Sequence, residues 1–467
     1  MKKIYFYDTS KKTKVEFVSL KPNIAKIYVC GPTVYDNSHL GHARSAIAFD
    51  LLHRVLKANG YEVVFAKNFT DIDDKIIKKM KEEGKSLEEI TTFYIKNYKN
   101  DMEILNILPN SFEPKATENL DAMKDKIENL LSKDIAYKTD DSVYFDVSKD
   151  KNYGSLSNQA SDENSQARVE INNQKRNSSD FALWKFEKAS DVSFASNFGA
   201  GRPGWHIECS AMIEKHLAYK DEPFQIDIHC GGADLLFPHH ENEASQTRCA
   251  SGQNLAKYWM HNGFVNINGE KMSKSLGNSF FLKDVLKSYS GEVVRFYLLS
   301  SSYRANINFN EEDLLASKKR LDKLYRVKKR VYEVSASKVN EKFENTVLEA
   351  LNDDLNTSLA LSFIDEFINS SNDSLDKNPK DKTLKQEIVA NIEFVEKVLG
   401  FGGSDAFSYF QFGVSLELKK QIEDLISKRA EAKKNKDFSK ADSIRDELSA
   451  MNISIMDTAL GVVWEYR

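Results

Sequence analysis

The tightest constraint on the fold is a strand–helix–strand succession within residues 25–70. AKIYVC (25–30) is a short β-rich run that stops at Gly31 and reads as a buried strand feeding a loop. Beyond it, Ala43, Ile47, Leu51 and Val55 recur every four residues, with Ala48, Leu52 and Leu56 beside them, which predicts a helix ending near Gly60. YEVVFAKNFT (61–70) predicts the second strand. Strand, helix and strand in this order build a βαβ unit, the seed of a parallel Rossmann-type sheet that takes a nucleotide at the C-terminal edge of its strands. FQIDIHCGGAD (224–234) and YWMHNGFVNING (258–269) each read as a strand running into a turn, and they supply the second half of the same sheet.

The rest of the chain reads as additions to that sheet. Residues 75–135 predict helices rich in Lys and Glu. NYGSLSNQASDENSQ and INNQKRNSSD, at roughly 150–180, have little periodic apolar content and predict an irregular insertion. From Glu311 onward strand signals fade and helices are expected to the end. The expected class is therefore α/β: a catalytic domain in two halves, 1–125 and 199–310, split by a connective insertion, 126–198, and followed by an all-α C-terminal region, 311–467.

Bulk properties exclude several classes. No apolar run approaches the roughly 20 residues that cross a bilayer, and the start, MKKIYFYDTSKKTK, lacks the apolar stretch of a secretory signal. Four cysteines in 467 residues do not make a disulfide framework; in the reducing cytoplasm expected here they are metal ligands, catalytic groups or core fillers. A net charge of −4 argues against a general polyanion binder. Ser317–Arg330 nevertheless carries eight Lys or Arg against one Asp, and Lys419–Arg445 nine against five acidic residues. These helix faces permit a nucleic acid that touches only part of the surface.

Two motifs carry phosphate chemistry. His39-Leu40-Gly41-His42 opens the first helix, where unpaired N–H groups and the helix dipole favour an anion. Gly41 admits a close ligand, and His39 and His42 can both reach phosphate oxygens. Lys271-Met272-Ser273-Lys274-Ser275, between Gly269 and Gly277, places lysines and hydroxyls on one short loop able to close over a polyphosphate. Gly232 and Asp234 follow a strand, where an acid can hold a ribose. Cys30, Cys209, His239 and Glu243 form a competent zinc set, with His239 and Glu243 on one face if their segment is helical. Cys230, Cys249, His206, His229 and His240 lie near enough in sequence to be alternatives, though helical phase sets Cys249 on another face.

The paired motifs resemble those of class I aminoacyl-tRNA synthetases, with Leu40 where that family usually has Ile. YVCGPTVYD, NFTDIDDKI, DFALWK, GRPGWHIECSAM, GGADLLFPHHENE, YWMH and KMSKSLGN together resemble the cysteinyl-tRNA synthetases, as do KDFSKADSIRDEL (436–448) and DTALGVVW (457–464) near the end. The resemblance implies a monomer that joins L-cysteine to tRNA(Cys) with ATP and Mg²⁺. It implies zinc on Cys30, Cys209, His239 and Glu243, phosphate contacts from His39, Gly41, His42, Lys271 and Lys274, and ribose contacts from Gly232 and Asp234. It also implies a cysteine pocket of Gly31, Thr70, Trp205 and His229, and a helical C-terminal region that contacts the tRNA stem and anticodon. Zinc prefers a thiolate to a neutral hydroxyl, so no separate editing domain against serine is expected.

Overall fold

The structure, a computed structural model, describes residues 2–158, 174–187, 192–267, 281–459 and 461–466, and the backbone of Glu270 and Lys271. Met272–Phe280, which holds Lys274, and 159–173 of the polar stretch lie outside the described residues. The chain divides into two compact units. One comprises Met1–Leu282, Ser301–Phe309 and Leu348–Thr357; the other comprises Lys283–Ser300, Asn310–Val347 and Ser358–Arg467.

The first unit begins with a hairpin, β1 (Tyr5–Asp8) and β2 (Thr13–Glu16). Strand β3 (Ile24–Val29) follows, then α1 (Leu40–Ala58) and β4 (Glu62–Lys67), as the βαβ pattern predicts. Ala43, Ile47, Leu51 and Val55 are all buried in α1, and the chain leaves the helix through Gly60, whose φ of 88° suits a residue without Cβ. Helices α2 (Asp74–Glu83), α3 (Leu87–Ile104) and α4 (Leu120–Ser132) fill the stretch expected to be helical.

Among the described residues of the polar stretch, 150–158 and 174–180, there is no strand, and the strands that flank the stretch pair with one another. Strands β5 (Ala136–Lys138), β6 (Ser142–Phe145), β7 (Phe181–Phe186) and β8 (Gly201–Pro203) form an antiparallel sheet in that order. Val143, Phe145, Leu183 and Trp184 pack into one buried cluster with Met123 and Ile127 of α4. The apolar residues of this sheet lie at the two ends of the polar stretch, so a window centred on the stretch misses their pairing.

After α5 (Trp205–His216), strands β9 (Phe224–Gly232) and β10 (Asn254–Asn262), separated by α6 (Glu241–Ser251), return to the first sheet. The order is β10-β9-β3-β4, every pair parallel. The two sequence halves thus meet between β3 and β9. There the strand order reverses, which opens a crevice at the C-terminal ends of the strands. Ile27, Tyr28, Ile226, Ile228 and Met260 are completely buried, as a parallel sheet covered on both faces requires. Strands β11 (Val265–Ile267), β12 (Glu270–Lys271) and β13 (Ile307–Phe309) form a small sheet in the same unit, in the order β12-β11-β13.

The second unit is predominantly helical, from α7 (Leu282–Ser288) and α8 (Gly291–Leu299) through α9 (Glu311–Arg330), α10 (Glu341–Asn352), α11 (Thr357–Lys377) and α12 (Lys382–Leu399) to α13 (Leu416–Lys434) and α14 (Phe438–Ala450), with Leu282, Leu348–Asn352 and Thr357 of these helices counted in the first. It is not all-α. It closes with an antiparallel hairpin, β14 (Ile453–Thr458) and β15 (Gly461–Tyr466), where the sequence reading carried helices to the end. Ile453 and Trp464 of the hairpin pack on Ile422 and Leu425 of α13 and on Ile444 and Leu448 of α14. The alternation is weak because most of the hairpin stays partly exposed, so the segment reads as neither helix nor strand until α13 and α14 supply its second face.

Candidate active site

A cleft of about 500 Å³ opens at the C-terminal edge of the sheet and lies within the first unit. Cys30 and Gly31 line it from the end of β3, His39, Gly41 and His42 from the start of α1, and Trp205 from α5. Gly232 and Asp234 line the side where β9 ends. Gly31 has a steric reason to be glycine: a Cβ there would stand 1.6 Å from the backbone oxygen of Asn68. Its N–H donates instead to Asn68 Oδ1 at 2.8 Å.

The histidine motif caps its own helix. His39 Nδ1 accepts from the Gly41 N–H at 3.1 Å, and His42 Nδ1 accepts from the His39 N–H at 3.2 Å. The rings stack with centroids 3.9 Å apart. Each neutral ring therefore carries its proton on Nε2, a donor suited to phosphate oxygen, at a helix start with no acidic residue in its first turn.

Lys271 lies on β12 and pairs through its backbone with Asn266, next to Val265 of the cleft wall. The segment returns at Phe281, which bridges to His39, and at Leu282, whose N–H donates to Ser38 O at 2.8 Å. One end of this segment is thus tied to β11 at the cleft wall and the other to the histidine motif.

Cys30, Cys209, His239 and Glu243 converge on one point behind this wall. Cys30 directly follows β3, Cys209 sits inside α5, and the other two come from the turn into α6 and its first residues. The sulfurs are 3.6 Å apart, Cys209 Sγ is 3.7 Å from His239 Nε2, and Cys30 Sγ is 3.5 Å from Glu243 Oε1. His239 Nε2 and Glu243 Oε1 are 2.9 Å apart. A tetrahedral zinc with bonds near 2.3 Å to sulfur and 2.0–2.1 Å to nitrogen requires edges of about 3.8 Å for S···S and about 3.5 Å for S···N. The donor set and its spacing fit a soft divalent cation.

The charges agree with that use. Burial pushes the Cys209 thiol up, but its contacts with Cys30 and His239 outweigh burial and bring it down to about 6. Burial alone would lower His239; the Glu243 carboxylate and Cys209 instead raise it to about 10. Burial opposes ionisation of Glu243, yet His239 and His229 hold its carboxyl well below the usual range. Burial drives the Cys30 thiol upward. A metal binds deprotonated ligands, so it would meet Cys209 and Glu243 already favoured as anions and would displace the protons that Cys30 and His239 hold without it.

The sequence alternatives sort by position. His240 Nε2 lies 3.3 Å from Cys30 Sγ, so Cys30, His229, His240 and Glu243 form a second, overlapping cluster. His206 Nδ1 contacts His239 Nδ1 at 3.0 Å and belongs to neither cluster, and Cys230 and Cys249 also stay outside both. His229 does not line the cleft. Its Nε2 meets Glu243 Oε2 at 2.8 Å, and its ring stacks on Trp259. Thr70 likewise faces inward and donates to Glu208 Oε2 at 2.8 Å. Of the expected cysteine pocket, Gly31 and Trp205 border the cleft, while Thr70 and His229 brace the wall from within. Sequence reading missed Lys67 and Tyr98, which also line the cleft. The signal was available for Lys67, since EVVFAK ends on it at the strand edge where such sheets bind ligands.

Comparison with known proteins agrees with this arrangement. Residues 16–319 match the class I (C) tRNA synthetase catalytic domain, 346–402 the DALR domain, and 416–464 the cysteinyl-tRNA ligase anticodon binding domain. The chain is 72% identical to the cysteine–tRNA ligase of Aliarcobacter butzleri, covering 100% of both chains. It is 64% identical to that of Nitratiruptor sp., covering 98% of this chain and 99% of the relative. Among solved structures, Mycobacterium tuberculosis methionyl-tRNA synthetase superposes with a TM-score of 0.61 at 15% identity, over 81% of this chain and 92% of the other, which speaks for the fold. The chain therefore belongs to the cysteinyl-tRNA synthetase family and is a class I aminoacyl-tRNA ligase.

Proposed function

We propose that the protein activates L-cysteine with ATP and transfers it to the 3′ end of tRNA(Cys), with zinc held by Cys30, Cys209, His239 and Glu243. The observation that carries the choice of amino acid is the convergence of two sulfurs, an imidazole and a carboxylate beside the cleft of the histidine motif. Zinc bound there would supply a soft Lewis acid that favours the thiolate of cysteine over the hydroxyl of serine. His229 keeps a hold on Glu243 through Oε2, so the carboxylate retains a partner if it yields its place to the substrate.

The chain's own groups then position the reaction. His39 and His42 donate to phosphate oxygens at the start of α1, and Gly232 and Asp234 take the ribose. Lys271 and Lys274 neutralise charge as pyrophosphate leaves ATP accompanied by Mg²⁺. The cysteine carboxylate attacks the α-phosphate, and a terminal ribose hydroxyl of the tRNA then takes the cysteinyl group. No side chain is assigned as covalent nucleophile. Exposed Lys420, Lys428, Lys434 and Lys440 on α13 and α14 would meet the phosphates of the anticodon arm. Cysteine-dependent ATP–pyrophosphate exchange, run with metal analysis and tRNA charging, tests the reading. Exchange with serine as fast as with cysteine would overturn it.

A further inference from the structure

Lys67 is a buried cation in the cleft, and the roles above leave it unused. It is the last residue of β4, 8% exposed, and its Nζ lies 5.2 Å from the centre of the Tyr98 ring. Two carboxylates influence it from a distance, and both are engaged elsewhere. Glu113 pairs with Lys99 at 2.5 Å, and Asp50 pairs with Arg54 at 2.8 Å. Among the described residues no carboxylate reaches Lys67 within ion-pair distance. The buried hydroxyl of Tyr98, also on the cleft wall, has no hydrogen-bond partner among them either. Burial lowers the Lys67 ammonium to about 8, the direction expected of a cation withdrawn from water. An unpaired buried cation is costly, and an incoming anion removes that cost.

The strand order indicates which anion. Lys67 lies opposite Val29, and Val29 lies opposite Cys230. With strands about 4.8 Å apart, Lys67 stands about 10 Å from β9, which carries the Gly232 and Asp234 side of the cleft. On the proposed function, adenosine occupies that side. On that reading the side where β4 lies is left for the acceptor. Lys75, exposed on α2, lines the same side, with its Nζ 5.5 Å from the Tyr35 ring. Two lysines along one wall suit the phosphates of a single-stranded nucleic acid end.

We propose that Lys67, with Lys75 at the rim, holds a phosphodiester of the tRNA 3′ end during aminoacyl transfer. This rests on the function proposed above. In the step it serves, the ribose oxygen bonds to the cysteinyl carbonyl carbon and the bond from that carbon to the phosphate oxygen breaks. AMP leaves with the electron pair, and the hydroxyl proton passes to the departing phosphate. Lys67 is a binding residue and takes no proton in this scheme.

The test compares full-length Lys67→Gln and Lys67→Arg with the parent. Lys67→Gln should slow single-turnover transfer from preformed cysteinyl-adenylate, or raise the KM for tRNA, by about tenfold, and lower the salt dependence of tRNA binding by about one counterion. Its pyrophosphate exchange should stay within about twofold of the parent, which also reports that it folds, and Lys67→Arg should restore transfer. Exchange falling in parallel with transfer would place Lys67 on ATP or cysteine and overturn the proposal. Unchanged transfer and tRNA KM would make the lysine structural and overturn it too. Absence of cysteine-dependent exchange in the parent would instead overturn the underlying function.

Discussion

Replacing Cys209 by Ser isolates the contribution of one sulfur to the cluster. Cys209 is completely buried in α5 and forms two edges of the donor set, 3.6 Å to Cys30 and 3.7 Å to His239. Its contacts with Cys30 and His239 bring its thiol down to about 6, the direction that favours the thiolate a metal takes. A serine hydroxyl there stays neutral and hard, and its oxygen sits closer to Cβ than the sulfur does, which opens both edges. Loss of an outer-shell partner typically costs 10- to 100-fold in metal affinity, so loss of a ligand should cost at least about 100-fold, or about 2.7 kcal/mol. Competition with a chromophoric chelator gives the zinc affinity directly. Pyrophosphate exchange with cysteine and with serine, measured on the same samples, gives the discrimination. Cys209→Ser should lose zinc and its preference for cysteine together. A variant that holds zinc within about threefold of the parent, or sheds zinc yet rejects serine as well as before, would refute the assignment.

Other outcomes follow from the same geometry. Lys274→Ala should slow cysteine-dependent exchange far more than it weakens cysteine binding, as single-turnover kinetics and equilibrium binding will show. Removal of residues 413–467 deletes α13, α14 and the hairpin as one packed cluster, and should spare exchange while impairing tRNA charging; equal loss of both would contradict a separable module. Lys67 drops from 10.5 to about 8 on burial, a cost of about 3 kcal/mol at 1.36 kcal/mol per pKa unit. Because the unfolded chain binds more protons between those values, that cost is full below about pH 8 and relieved as pH rises toward 10.5. Lys67→Met should therefore raise the denaturation midpoint at neutral pH and flatten its rise in alkali; an unchanged profile would show that the site solvates the ammonium well.

How much of this was legible depended on whether the cause is local. The βαβ unit was, because the four-residue recurrence of Ala43, Ile47, Leu51 and Val55 and the apolar runs on either side arise from neighbours in the chain. The histidine motif was too, since a helix start and its cap are formed by consecutive residues. Family resemblance added the grouping of Cys30, Cys209, His239 and Glu243, which no spacing could supply. Sequence alone could not rank His240 against His239, because the turn at Leu236–His240, where Phe237 leaves helical φ and ψ, determines which ring faces which sulfur.

Tertiary structure alone decided the rest. It turned Thr70 and His229 inward onto Glu208 and Glu243, set Lys67 beside Tyr98 with no carboxylate at ion-pair distance among the described residues, and gave Ile453 and Trp464 a helical surface to pair against. Each of these depends on partners far along the chain: burial, register and charge pairing are properties of the groups a residue meets after the chain has closed on itself. Order along the backbone determines what a segment is able to form, and long-range packing determines which of its polar groups remain available for chemistry.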